Sequence, residues 1–300
     1  MRSPSQAVPG HGAPGAGGAG GAGGAGHDVP EFVRLAAHPV RWRLLTALAT
    51  GDLRVRELMA RADAPQNLVS YHLRLLREGG LVTATRSSFD GRDSYYRLDL
   101  DRCAHALAAT GTALHPALRG LVAPPTLPDA RHHRPPCEVL VVCTGNSARS
   151  PIAEALLRHH SAGRVNAISA GTRPKAALHP GAVRVLREKY GIDIAGQRPR
   201  HLDALHGRRF DYVITLCDKA REVCPEFDGR TRRIHWSIPD PATPPDPATS
   251  SDPTASSDPT GPDDRGREAE EAAFARAAAD IDTRVRYLLP VLVLASEARP

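Results

Sequence analysis

No stretch of the chain is long and apolar enough to cross a bilayer. Its longest apolar run, Tyr287 to Ala295, contains Pro290 and falls short of the roughly 20 residues that a spanning helix needs. The N-terminus lacks the basic-then-apolar pattern of a secretory signal, so a cytoplasmic location without a membrane partner is expected. Cysteine is scarce as well. Five thiols, an odd number in a chain with no export signal, argue against a disulfide framework and leave each thiol to be read by itself. A large excess of one charge is also missing. The 39 Lys and Arg, nearly all Arg, stand against 33 Asp and Glu, and this weak attraction to polyanions does not by itself make a nucleic-acid binder.

What is present divides the 300 residues into two domains. Residues 1–28 are Gly, Ala, Pro and Ser, a composition that buries too little apolar surface to offset the entropy of ordering, so a disordered tail is expected. A first domain spans 29–121. Residues 122–136 form a Pro-rich linker; its His132 and His133 have no thiol or carboxylate at ligand spacing and read as solvated, not as a metal site. The second domain spans 137–300 and is interrupted at about 242–264 by a low-complexity insertion. There an Asp-Pro step recurs at Asp240, Asp246, Asp252 and Asp258. From about Arg265 the apolar residues Phe274, Ala278, Ile281, Val285 and Leu288 lie three or four apart, which predicts a closing amphipathic helix.

In the first domain, Pro39 starts a helix carrying Leu44, Leu45 and Leu48. Val55 to Arg61 reads as a short helix and Asp63-Ala64-Pro65 as a turn. Gln66 to Glu78 then reads as a helix with Val69, Leu73 and Leu76 inward, stopped by Gly79-Gly80. Leu81 to Thr85 and Tyr95 to Leu98 alternate as a hairpin through Asp90-Gly91. Helix, turn, helix and hairpin is the winged helix-turn-helix layout, mainly α with a β wing. In it the second helix of the motif presents its N-terminal side chains to base edges. Those residues are Gln66, Asn67, Ser70, Tyr71 and Arg74, with His72 a weaker candidate, while Arg86 and Arg92 on the wing are placed for phosphates.

The segment from His38-Pro39-Val40-Arg41 through Ser70-Tyr71-His72-Leu73 to Gly80-Leu81-Val82 resembles the ArsR/SmtB family of metal-responsive repressors. The resemblance implies a homodimer, paired through the terminal helices of the domain, on a roughly palindromic operator DNA. It stops short of one feature: arsenite sensors of that family carry a cysteine pair before the recognition helix, and Leu53 to Ala60 has none. Cys103, near His105, lacks a third soft ligand and reads as a buried, inert thiol.

In the second domain Val139 to Val142 suits a buried parallel strand that runs directly into Cys143-Thr144-Gly145-Asn146-Ser147-Ala148-Arg149-Ser150 and then into a helix with Pro151 near its start. A Cys-x5-Arg spacing between a strand end and a helix N-terminus is an anion cradle. Backbone N–H groups and the helix dipole converge on it, and Arg149 can clamp two oxygens of a tetrahedral oxyanion. The same field favours the Cys143 thiolate as a nucleophile, and Ser147 and Ser150 can donate to the thiol or to the loop. Further strands at Val165 to Ser169, Asp211 to Leu216 and Arg233 to Trp236, with a helix at Pro180 to Tyr190, predict an α/β domain with a small parallel sheet. Cys217 follows one of those strands, so two thiols are expected at one rim. Cys137, at the start of the first strand, reads as structural.

This half is similar to the low-molecular-weight tyrosine phosphatases, and within them to the thioredoxin-coupled arsenate reductases. The likeness rests on the Cys143 loop, Ser169-Ala170-Gly171-Thr172, Val213 to Asp218 with Cys224-Pro225, and His235-Trp236 ahead of Asp240-Pro241. It implies that Cys143 attacks arsenate held by the loop and Arg149, with Asp240 as general acid. Cys217 then takes Cys143 into a disulfide, releasing arsenite, and Cys224 takes over Cys217. Thioredoxin or a low-molecular-weight thiol would regenerate the pair, and no bound cofactor is required. Some relatives bind potassium beside the loop. Here Asn146, Glu154 and Ser169 match those positions, but Arg200 stands where an acidic residue is usual, and its guanidinium is expected to replace the cation, so no metal is expected. If Cys217 to Cys224 is helical, seven steps of about 1.5 Å hold the Cα atoms roughly 10 Å apart, whereas a disulfide needs less than about 7 Å. Two rival readings remain: a tyrosine phosphatase fused to a regulator, which has no use for Cys217 or Cys224, and a repressor whose second domain only senses arsenate or redox state.

Overall fold

Residues 29–49, 51–118, 136–227, 230–243 and 262–297 are described by the structure, which is a computed structural model. The Gly/Ala tail, most of the linker with His132 and His133, and the Asp-Pro steps at Asp246, Asp252 and Asp258 lie outside the described residues.

The N-terminal domain runs α1 (Glu31–Ala36), α2 (Pro39–Ala47), β1 (Leu53–Arg54), α3 (Val55–Ala62), α4 (Gln66–Glu78), β2 (Val82–Arg86), β3 (Ser94–Leu98) and α5 (Leu100–Leu114). Pro39 occupies the first turn of α2, and His38 caps it by accepting from the Val40 amide. Asp63, in the left-handed region at φ 48°, ends α3, and Pro65 opens α4. Val69, Leu73 and Leu76 of α4 meet Leu44 and Leu58 in a core closed by Leu81 and Val82 of the wing. The strand order is β1-β3-β2, all antiparallel. Two-residue β1 has no counterpart in the sequence reading, because so short a strand leaves no alternating pattern.

The C-terminal domain runs β4 (Cys137–Cys143), α6 (Arg149–Ser161), β5 (Val165–Gly171), α7 (Pro180–Tyr190), β6 (Tyr212–Thr215), α8 (Asp218–Val223), β7 (Arg232–His235) and α9 (Pro262–Glu297). Its sheet is parallel, in the order β5-β4-β6-β7. Central β4 is flanked on both sides, so Val139, Leu140, Val141 and Val142 are wholly buried and read as one apolar run. The chain leaves β4 to one side for β5 and returns past it to β6. The carboxyl end of β4 is therefore the switch point where ligands bind in such sheets. Phe274, Ala278, Ile281, Val285 and Leu288 bury the predicted stripe of α9 against this domain, and the helix continues through Pro290. Among the described residues no helix is long and apolar enough to cross a membrane.

The two domains meet through buried polar groups. Asp52, 3% exposed, donates its amide to the His235 carbonyl (2.8 Å) and accepts on its carboxylate from the Ser237 amide (2.8 Å) and from Arg284 Nη1 (2.9 Å). Arg97 pairs with Asp280 at 2.7 Å, and the Tyr95 ring packs on His235 with centroids 4.6 Å apart.

Candidate active site

Loop 143–149 leaves β4 and enters α6 with its carbonyls turned away from the site. The Cys143, Thr144, Gly145 and Ser147 carbonyls accept from the amides of Thr172, Arg173, Lys175 and His179 at 2.8–3.2 Å. With these carbonyls committed outward, the loop's amides are free to face a bound oxyanion. Asn146, at φ 44°, makes the sharp bend. Its side-chain amide donates to Ser150 Oγ (2.9 Å) and Ser169 Oγ (2.8 Å), and its Oδ1 accepts from the Arg200 amide (2.8 Å). Ser150 Oγ accepts from Asn146 and lies 3.0 Å from Cys143 Sγ, where its hydroxyl can donate to a sulfur acceptor.

Gly171 lies under the loop, where a Cβ would come within 2.8 Å of the Thr144 carbonyl and 2.9 Å of Asn146 Cβ. Gly171→Ala is therefore expected to displace the loop and weaken the protection that a tetrahedral oxyanion gives Cys143 against alkylation. Its far-ultraviolet dichroism should match the parent. Undiminished protection would show that the loop has slack.

Arg149 is buried and donates to the Ile238 carbonyl (3.1 Å) and to Asp240 Oδ2 (2.7 Å). Of the Asp-Pro steps, the first one thus lies at the rim on the guanidinium of the loop, half-exposed. Thr144, Gly145, Asn146, Ser147, Ala148, Arg149 and Ser150 all lie on this loop and the first turn of α6.

Beside the loop, Glu154 is buried. Its Oε2 accepts from the Ser169 amide (2.9 Å), and its Oε1 pairs with Arg158 Nη2 at 3.2 Å, while Arg158 Nε donates to the Ala167 carbonyl. The guanidinium facing this carboxylate therefore belongs to Arg158 and not to Arg200, which meets the group through its backbone amide on Asn146. An i,i+4 pair on α6 places the charge with no demand on the loop at 196–200. With Glu154 so paired, turnover at this loop is expected to be indistinguishable in sodium and potassium buffers of equal ionic strength. A rate that follows potassium would mean that Arg158 swings away.

Cys217, the N-cap of α8, reaches the loop: its Sγ lies 3.3 Å from Thr144 Oγ1, and both Cys217 and Cys143 are buried. Cys224 caps the other end of α8. Burial pushes its thiol pKa up, partly opposed by Arg233. Residues that the sequence reading gave no role hold α8 in place. Asp218 Oδ1 accepts from His235 Nε2 (3.1 Å) and Ser237 Oγ (2.7 Å), and its Oδ2 accepts from the Ser88 amide of the wing (2.6 Å). Burial alone would raise its pKa, but these hydrogen bonds outweigh burial and hold the carboxyl well below the usual range. Burial in turn pushes the His235 pKa down, although the bond to Asp218 opposes this. A neutral ring that donates from Nε2 must accept at Nδ1, where Thr215 Oγ1 lies at 2.8 Å. Asp218 and His235 stood in the motifs of the family resemblance without a role, and Ser237 had only its adjacency to Trp236 as a signal.

Of the other thiols, Cys137 is buried at the start of β4. Burial pushes Cys103 up to about 11, which suits an inert thiol. No disulfide joins any of the five cysteines. On the N-terminal domain Gln66, Asn67, Ser70, Tyr71 and Arg74 form an exposed face of α4, with the Arg74 guanidinium 5.6 Å from the Tyr71 ring centre. His72 does not join that face: it is buried, and its ring packs at a tilt on that of His38 with centroids 4.3 Å apart. Arg86 and Arg92 are exposed on the wing, Arg86 donating to the Gly91 carbonyl at 2.8 Å.

Comparison with known proteins divides the chain the same way. Residues 38–84 match the model for bacterial regulatory proteins of the arsR family, and residues 138–250 match that for low molecular weight phosphotyrosine protein phosphatases. An arsenate reductase of Brevibacillus brevis is 38% identical over 104 residues, covering 35% of this chain and 76% of the relative. Among solved structures, an arsenate reductase from Archaeoglobus fulgidus aligns at 28% identity over 50% of this chain and 98% of its own, with a TM-score of 0.36. The YwlE arginine phosphatase from Geobacillus stearothermophilus aligns at 25% identity over 55% and 99%, with a TM-score of 0.40.

Proposed function

The chain belongs to the arsenate reductases of the low-molecular-weight phosphatase family and carries an ArsR-family domain at residues 38–84, and from that premise we propose that it is a DNA-binding regulator fused to a three-thiol reductase of arsenate. The Cys143 thiolate displaces one oxygen of arsenate held by the loop amides and Arg149. Asp240 protonates that oxygen so that it leaves as water. Cys217 then attacks Cys143 Sγ. A sulfur–sulfur bond forms, the electron pair of the sulfur–arsenic bond passes to arsenic, and arsenite departs. Cys224 next attacks Cys217 and frees Cys143, and thioredoxin or a small thiol reduces the Cys217–Cys224 disulfide.

The observation that carries this reading is the 3.3 Å approach of Cys217 Sγ to Thr144 Oγ1, which sets a second thiol on the oxyanion loop. A phosphatase needs Cys143, Arg149 and Asp240 and has no work for that thiol. The test is arsenite production by the purified protein with thioredoxin, its reductase and NADPH. A parent protein that yields no arsenite yet hydrolyses a phenyl phosphate, and keeps doing so as Cys217→Ser, would establish the phosphatase instead.

For the regulator half, the exposed face of α4 with Arg86 and Arg92 fits a duplex, and α5 has no buried residue and exposes Leu107 and Leu114. These features favour a homodimer paired through α5 on operator DNA.

Helix α8 keeps its six residues between the two cysteines, so the Cα separation of Cys217 and Cys224 is roughly 10 Å, too long for a disulfide. Hydrogen exchange across residues 217–227 is therefore expected to rise in the oxidised protein. Unchanged protection would mean that the pair closes without opening the helix.

A further inference from the structure

Helix α8 lies against the N-terminal domain and holds it at two places. Glu222 pairs with Arg54 and Arg221 with Glu57, the first-turn acid of α3. Asp218 accepts from both the amide and the hydroxyl of Ser88 at the tip of the wing. The guanidinium groups of Arg221 and Arg54 lie 5.2 and 5.0 Å from the Tyr95 ring centre, and Arg54 Nε donates to the Tyr95 hydroxyl at 2.7 Å. A cavity of about 540 Å³, lined by Cys224 together with Arg56 and Arg61 of α3, separates the rest of the two surfaces here. The second set of interdomain contacts makes no bond of its own to α8: Asp52 is held by Arg284 and by the backbones of Ser237 and His235, which meet Asp218 through their side chains only, and Arg97 is held by Asp280.

We propose that closing the Cys217–Cys224 disulfide releases the wing and α3 from the reductase domain while the Asp52 anchor stays shut, so that the thiol state of the reductase reaches the DNA-binding domain as a hinge motion. The proposal rests on the thiol cascade above for the formation of that disulfide. Two thiols lose two electrons and two protons, taken up by arsenic during turnover or by an azo oxidant in a test. An α8 that has opened cannot keep Arg221 and Glu222 in their present places. Arg54, buried, and Glu57, half-buried, would then each lose an ion-pair partner, a state that favours their turning to water.

The test uses the full chain as Cys143→Ser, so that the Cys217–Cys224 pair is the one that closes, oxidised with diamide, with the disulfide located by mass spectrometry. In the oxidised protein, amide exchange is expected to rise in residues 54–58 and 86–93. The amides of Asp52 and Ser237 are expected to keep their protection. The reduced Arg221→Ala/Glu222→Ala variant is expected to show the rise at residues 54–58 without oxidation. Unchanged exchange at 86–93 in protein that carries the disulfide, or at 54–58 in the double variant, overturns the coupling alone. Loss of protection at Asp52 overturns the hinge, and failure to form any Cys217–Cys224 disulfide overturns both the coupling and the cascade beneath it.

Discussion

Cys217→Ser is expected to bring arsenite formation down to the buffer blank, and Cys224→Ser to stop after about one arsenite per protein, because the two thiols act at successive steps of the exchange. Without Cys217 the loop loses the one other cysteine, among the described residues, that contacts it. Cys217 Sγ lies beside Thr144, whereas Cys224 caps the far end of α8. Arsenate should still enter the loop of Cys217→Ser and protect Cys143 from alkylation, since the loop amides, Arg149 and Ser150 are untouched. Without Cys224 the first arsenite is still released, and the protein comes to rest as the Cys143–Cys217 disulfide. That bond lies between two buried sulfurs, out of a protein reductant's reach. Arsenite counted per mole of protein, together with the disulfide found by mass spectrometry, separates the two variants. Sustained turnover by Cys217→Ser would remove Cys217 from the reaction.

The loop was legible because its chemistry is local. The continuous apolar run of β4, the Cys-x5-Arg spacing and Pro151 are neighbours in sequence, and the strand, loop and helix that they specify follow one another in space. Periodicity did the same for α4 and α9, where residues three or four apart share a buried face. It also bears on His72, which follows Val69 by three residues and adjoins Leu73, so the period of α4 turns it away from the face that Tyr71 and Arg74 expose.

The contacts between the domains left no such trace. Asp52 and Arg284 are 232 positions apart, and neither belongs to a repeating pattern, so only the folded chain shows them as partners. Two-residue β1, which follows Asp52 and ends on Arg54, is equally silent in sequence. The guanidinium beside Glu154 is a different case. Arg158 stands four residues further along α6, a spacing that is readable on a helix, whereas Arg200 drew attention through the family resemblance instead of through the helix itself.

Asp52→Ala is expected to cost about 3–5 kcal/mol of stability, because it strips a buried guanidinium of a partner and leaves the other charge in place. Burial disfavours the charge on Arg284, and the carboxylates of Asp52 and Asp280 hold it charged against that penalty. Its Nη1 donates to Asp52 and its Nε to Asp280 (3.1 Å), while Nη2 has no partner among the described residues and the guanidinium lies 5.7 Å from the Trp236 ring centre. With Asp52 gone, the Ser237 amide loses its acceptor as well. Replacing both charges together, as Asp52→Ala/Arg284→Met, should recover most of the loss, since a buried pair exchanged for apolar groups is often close to neutral. Urea unfolding of the four proteins of this cycle gives the coupling directly. The same carboxylate ties the N-terminal domain to the segment after β7 and to α9, so its loss should also divide one unfolding transition into two, the N-terminal domain melting first. A change below about 1 kcal/mol, the range of an exposed ion pair, would mean that water reaches Arg284 and that the domains are joined elsewhere.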